Sequence, residues 1–277
     1  MSYLLELFRF EHSFGSRAGR EAVYLQRKTQ FQAYVGRKQG SDGRYFQSPN
    51  ALVIMLDINP SAPLLLSLRV AGLATFFSFI LGVGLAWAIT RRGGALRAGM
   101  DAFCTLPMVL PPTVLGYYLI LLVGRRGLIG PWLMEYGINL MFSWKGAVAA
   151  ATVVVFPLIY KSARAALDGV DQSHEDAART LGASEWTVFF RVSLPLAWRG
   201  LFAGTMLAFA RGMGEFGATL MIAGNIPGKT QTLALAIYDA FQAGNDARAT
   251  ELVIITSLLC MSVLVAAELL AGRRRSA

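Results

Sequence analysis

Charge is the first thing in short supply. Only 16% of the 277 residues are Asp, Glu, Lys or Arg, against 55% hydrophobic, whereas a soluble domain carries about a quarter charged and about half apolar. The polar residues 1–50 dilute this imbalance; from Leu64 onward apolar residues gather in runs longer than a soluble core needs. Cysteine and histidine are scarce, at two each. Cys104 and Cys260 lie far apart within apolar runs and read as small apolar fillers. His12 and His174 stand alone with no ligand cluster at metal-binding spacing, so no metal is expected. No G-x-x-x-x-G-K-[ST] segment occurs, which excludes nucleotide binding by that device. Glu215 and Glu268 are the only acids well inside apolar runs, and no nucleophile–base pair accompanies them. An intramembrane enzyme is therefore disfavoured, and no cofactor is expected.

What remains is an all-α membrane pattern. A bilayer core of about 30 Å takes about 20 residues at 1.5 Å each. Five segments qualify as spans: 64–90, 102–123, 146–160 with a more polar extension to Leu167, 201–223, and 252–271. Pro107, Pro111 and Pro112 are expected to kink the second, giving it shape rather than a hinge. Arg69, near the start of the first, is expected to snorkel to the interface. The net charge of +9 comes mostly from Lys and Arg flanking these runs, and no basic helix is interleaved with aromatics, so nucleic acid is not expected as a partner.

The flanking charges give an orientation. Arg91, Arg92 and Arg97 follow the first span; Lys161, Arg164, Arg179 and Arg191 lie between the third and fourth; Arg273, Arg274 and Arg275 follow the fifth. With five crossings these fall on one side, which places the C-terminus in the cytoplasm and the N-terminus outside. The basic stretch 1–54 runs against this. It has neither a signal-peptide h-region nor a span, and is either a disordered extension or sequence ahead of a start at Met55, the second being favoured. The membrane domain is 55–277.

The loop 168–199 reads DGVDQSHEDAARTLGASEWTVFFRVSLPLAWR. Ser173 with Asp176 resembles a capping box that starts a helix, Gly182 ends it, and Ser184 caps a second with Trp186, Phe189 and Phe190 on its apolar side. Ala177, Ala178 and Gly182 are small enough for another backbone to approach. The spacing leaves two readings open: docking into a partner's groove, or resting on lipid headgroups.

Glu175, Asp176, Ala177, Ala178, Gly182, Leu194 and Pro195 resemble the EAA loop of ABC importer permeases, and similarity extends from Leu64 to the end. The resemblance implies a type I importer permease core whose coupling loop seats in a cytoplasmic ATPase. It also implies a homodimer, two ATP-hydrolysing subunits, an extracytoplasmic molybdate-binding protein and a bacterial cytoplasmic membrane. LPMVLPPTVLGYYLILLVGRRGLIG at 106–130 and ARGMGEFGATLMIAGNIPGKTQTL at 210–233 resemble the molybdate branch. Some of its members carry an extra N-terminal span that this chain lacks. Tungstate would travel with molybdate; sulfate permeases share the GEFG core, so sulfate, thiosulfate or another oxyanion is the alternative.

Arg211, Glu215, Phe216, Gly217 and Thr219 are then candidates for the translocation path or gate. Arg211 and Glu215 are four residues apart and fit equally a structural ion pair. Gly212, Gly214, Gly217 and Ala218 fit helix packing as well as gating. A secondary transporter or channel would accommodate buried charge, but not the two-helix loop, and no inverted repeat is visible.

Overall fold

The computed structural model describes residues 61–90 and 94–272. The stretch 1–54, for which an extension is expected, lies outside them. Among the described residues there are eleven α-helices and no strand. They are α1 (Ser61–Thr90), α2 (Gly94–Val109), α3 (Pro112–Val123), α4 (Gly130–Glu135), α5 (Trp144–Asp168), α6 (Gln172–Thr180), α7 (Glu185–Val188), α8 (Leu194–Met213), α9 (Gly217–Ala223), α10 (Leu233–Gln242) and α11 (Asp246–Gly272). Four stretches are long and apolar enough to cross a membrane, five if the bent pair α2–α3 counts as one.

α5 is the central helix. Ser143 caps it by accepting the Gly146 N–H, and Ala147, Ala150, Ala151, Val155, Tyr160 and Ala163 are fully buried. Helices in lipid gain nothing from the hydrophobic effect against each other, so close backbone approach and dispersion hold them. α1 achieves this at Gly82, where a Cβ would lie 3.2 Å from the Tyr160 backbone nitrogen, and Ser78 Oγ donates to the Thr152 carbonyl at 2.9 Å. α8 comes closer. A Cβ on Gly200 would fall 2.7 Å from Ala166 Cβ, and one on Gly204 would fall 2.2 Å from Ser162 Cβ. Two small pairs, each four residues apart, therefore face each other across the α5–α8 crossing.

The second and fourth expected spans are corrected. The segment 102–123 is no kinked helix but two helices bent by 112°. Pro111 lacks an N–H and sits at ψ 140°, while Pro112 opens α3 with its φ already helical. The segment 201–223 is likewise divided, into α8 and α9, at Gly214–Glu215–Phe216. Glycine weakens the helix there, and the Glu215 carboxylate takes the Ala218 N–H at 3.1 Å, restarting the chain as α9.

Both broken segments still cross the bundle. Arg97, in the first turn of α2, meets Asp168 at the last residue of α5. The turn after α3 borders a cavity with Phe142, just before α5 begins, and the Ile222 carbonyl in α9 accepts the Phe142 N–H at 2.9 Å. α10, which the hydropathy pattern did not suggest, is anchored through its first N–H, donated by Leu233 to Ser67 Oγ of α1 at 2.7 Å.

Candidate functional site

Residues 168–199 form a compact projection at one end of α5. Its first helix is capped by Asp171, whose side chain accepts the Ser173 N–H at 2.9 Å, so the expected start at Ser173 moves upstream. That hydrogen bond holds the Asp171 carboxyl below the usual carboxylate range. α6 ends as the glycine suggests: Gly182 has φ +82°, and the N–H groups of Gly182 and Ala183 reach back to Arg179 and Ala178 carbonyls at 2.9 and 3.1 Å. Ser184 then caps α7 through the Thr187 N–H.

A partly exposed arginine ties the two helices of the projection together. Arg179 pairs with Glu175 at 2.8 Å, Asp176 at 2.6 Å and Glu185 at 3.0 Å. These carboxylates, Glu185 foremost, push its guanidinium well above the ordinary range. The other oxygen of Glu175 accepts from Ser193 Oγ at 2.6 Å. Ser193 is buried in a π-helical turn, Phe189–Ser193, that joins α7 to α8. The ring of Trp87, near the end of α1, stands 4.7 Å from Trp186 and 4.8 Å from Phe189.

The EAA-like residues thus divide by position. Glu175 and Ala178 are half-buried; Asp176, Ala177 and Gly182 are exposed; Leu194 and Pro195 form the first turn of α8. Leu181, at the tip, is 88% exposed, and Trp186 and Phe190 stay largely open. A Cβ on Gly182 would meet nothing within 4 Å.

The second candidate group lies at the α8–α9 break. Arg211 donates to Glu215 at 3.0 Å, with the arginine side chain 41% exposed and the carboxylate 2%. The other three residues are less accessible than Arg211. The Phe216 ring lies 5.1 Å from that of Tyr238, tilted at 55°. Gly217 abuts α3, where an added Cβ would lie 2.9 Å from Pro112 Cβ, and Thr219 is fully buried within the chain. The NIPGKT stretch is a tight turn: Thr230 Oγ1 accepts the Ile226 N–H and donates to the Gly224 carbonyl. Among the described residues no group of three His, Cys, Asp or Glu side chains is placed to hold a metal.

A helical bundle with four unbroken apolar spans and one bent pair, a carboxylate buried where α8 gives way to α9, and a capped two-helix projection at one end defines a polytopic membrane protein. The chain belongs to the family of binding-protein-dependent transport system inner membrane components, which matches residues 78–276. It is 48% identical over 209 residues to the molybdenum transport system permease protein of Escherichia coli, covering 75% of this chain and 91% of that protein. The Haemophilus influenzae counterpart is 41% identical over 210 residues, covering 75% and 92%. A sulfate transport system permease protein from Synechocystis is 33% identical over 219 residues, covering 79% of each. Among solved structures, a bacterial alginate ABC transporter in complex with its alginate-bound periplasmic protein matches with a TM-score of 0.65 at 14% identity, over 91% of this chain and 93% of that one. The inward-facing MetNI methionine ABC transporter matches at 0.58 and 18%, over 82% and 99%. At such identities they establish the fold, that of a type I importer permease.

Proposed function

We propose that this chain is the membrane-spanning subunit of an importer that carries molybdate, and tungstate with it, across the bacterial cytoplasmic membrane. The observation carrying this is the 48% identity to a molybdenum transport permease along 209 residues. The subunit works as a homodimer with two cytoplasmic ATPase subunits and an extracytoplasmic molybdate-binding protein; ATP is hydrolysed by those partners. The projection 168–199 docks on the ATPase through Asp176, Ala177, Leu181 and Gly182, while Glu175, Ala178, Leu194 and Pro195 set its shape. It faces the cytoplasm, as does the C-terminus, with the N-terminal side of the first span outside. The dense lysine and arginine flanks of that end support this orientation.

The break at Gly214–Phe216 borders the path. An arginine neutralised by Glu215 suits passage better than capture, since a dianion bound deeply would not leave. Tight recognition belongs to the binding protein. The test is uptake in cells lacking their own molybdate system and supplied with this chain, its ATPase and its binding protein. Submicromolar molybdate is expected to restore molybdoenzyme activity, with sulfate in large excess competing poorly. The 33% identity to a sulfate permease supports the rival reading; growth restored on limiting sulfate would select it.

A further inference from the structure

At the coupling-loop end of the bundle, four charges alternate in sign between α2 and α5. Arg97 Nη2 of α2 meets Asp168 Oδ2 at 3.2 Å. Asp168 also receives Arg164 Nε at 3.5 Å, one turn back along α5. Arg164 in turn donates to Asp101 of α2, and so does the hydroxyl of Tyr160. The series steps across the helix–helix seam from a partly exposed end, with Arg97 35% and Asp168 38% exposed, to a shielded one, with Arg164 at 12%. Tyr160 is fully buried. Among the described residues no other ion pair joins α2 to α5.

The position of this ladder matters more than its strength. Asp168 is the last residue of α5, and Asp171, three residues on, caps the projection. Residues 97 and 101 lie one turn apart in α2, upstream of the break at Leu110–Pro111. Beyond that break the anchoring changes. α3 is seated on α9: a Cβ on Gly116 would meet Met221 Cβ at 2.7 Å, and Gly217 abuts Pro112. One half of the broken span is therefore fastened to the root of the projection, and the other half to the segment that follows Glu215. A 112° bend without a continuous helical hydrogen-bond ladder separates them.

Resting on the importer reading above, we infer that the Arg97–Asp168–Arg164–Asp101 ladder makes α2 the output arm of the projection. A displacement of the projection on the ATPase carries α2 with it. Because α3 is held by α9, α2 swings about Leu110–Pro111, and the relative motion is delivered beside the α8–α9 break. These are positioning residues: none touches the transported anion or nucleotide. Two fastened rigid pieces about a few chain-break residues are a hinge arrangement, and the ladder is the fastening on one side.

The experiment uses the complete reconstituted importer in liposomes. Basal ATP hydrolysis, hydrolysis stimulated by molybdate-loaded binding protein, and molybdate uptake are read together. Asp101→Asn is expected to leave ATPase association and basal hydrolysis at the wild-type level while stimulation and uptake both fall about tenfold, within the usual range of coupling between sites. Asp101→Glu, which retains the charge, is expected to recover most of both. In a background with Cys104 and Cys260 replaced by alanine, Arg97→Cys with Asp168→Cys supplies the second test. That pair is expected to be uncoupled when reduced and recoupled when joined by a short thiol cross-linker. Full stimulation and uptake in Asp101→Asn and in the reduced pair would overturn the inference. So would a loss of assembly and basal hydrolysis in step with uptake, which is the mark of a purely structural contact. Failure of the functional reading itself appears elsewhere, as absence of molybdate stimulation in the wild-type importer.

Discussion

Ser193, buried in the π turn at the foot of α8, donates its hydroxyl to Glu175 across an 18-residue separation, at 2.6 Å. The same carboxylate holds Arg179 with its second oxygen. Glu175 thus ties α6 to the start of α8 and also joins the arginine cluster near the exposed tip. A charge-assisted hydrogen bond of this kind contributes about 1.5–3 kcal/mol, enough to fix the angle at which the tip is presented.

If that bond sets the geometry of the docking face, Ser193→Ala and Glu175→Ala are expected each to weaken capture of the ATPase by the solubilised permease about tenfold, equivalent to about 1.4 kcal/mol. The double variant is expected to be scarcely weaker than Glu175→Ala alone, since both singles remove the same contact. Titration with the purified ATPase measures the cycle. Strictly additive losses would mean that Ser193 and Glu175 act independently.

Gly182 combines two demands that substitution separates. Its φ of +82° is costly for a residue with a Cβ, by about 1–2 kcal/mol, and cheapest for asparagine among alternatives. The space beyond its Cα is open within the chain. Gly182→Asn is expected to keep α6 protected in hydrogen exchange yet lose ATPase capture, because the side chain enters space reserved for the partner. Gly182→Leu is expected to lose both. Normal capture by Gly182→Asn would reduce the glycine to a helix terminator.

The α5–α8 crossing depends on the absence of side chains. Gly204→Val would force atoms against Ser162, where even a Cβ lies at 2.2 Å, and helix separation is the only relief. Overpacking of this sort costs about 1–3 kcal/mol. The solubilised protein is expected to show a lowered Tm, with Gly200→Ala milder because its single close neighbour is the Ala166 methyl group. Melting curves at matched detergent concentration decide it; an unchanged Tm in Gly204→Val would contradict the close crossing.

The legible parts of the fold were those written in local chemistry. The apolar lengths of α1, α5 and α11, the terminating Gly182 and the cap at Ser184 all follow from residues within one or two turns. The full breaks were not legible in hydropathy, because Pro111, Gly214 and Glu215 are single interruptions inside stretches that remain apolar on average. The cap at Asp171 was missed because Ser173 and Asp176 offered a plausible alternative two residues later. Glycines 200 and 204 carried a signal, a four-residue spacing in an apolar helix. The contacts of Ser193 with Glu175 and of Arg97 with Asp168 depend on chain segments 18 and 71 residues apart, which no local pattern encodes.

Glu215 offers the sharpest separation of path from scaffold. It pairs with Arg211 and accepts the Ala218 N–H, so one carboxylate both neutralises a cation and starts α9. Glu215→Gln preserves an acceptor for the amide but leaves Arg211 positive. Because the arginine side chain is 41% exposed, the stability loss is expected to be modest, about 1–2 kcal/mol rather than the full cost of a broken buried pair. Transport is expected to suffer more. An unneutralised guanidinium at the break would hold a dianion that should pass, so molybdate uptake slows even though the binding protein still docks and ATP is still hydrolysed. Removing the cation as well, in Glu215→Gln with Arg211→Gln, is expected to restore a large part of the rate. Uptake of labelled molybdate at saturating binding protein measures both. If the double variant were as slow as Glu215→Gln, the pair would be scaffold and the path would run elsewhere.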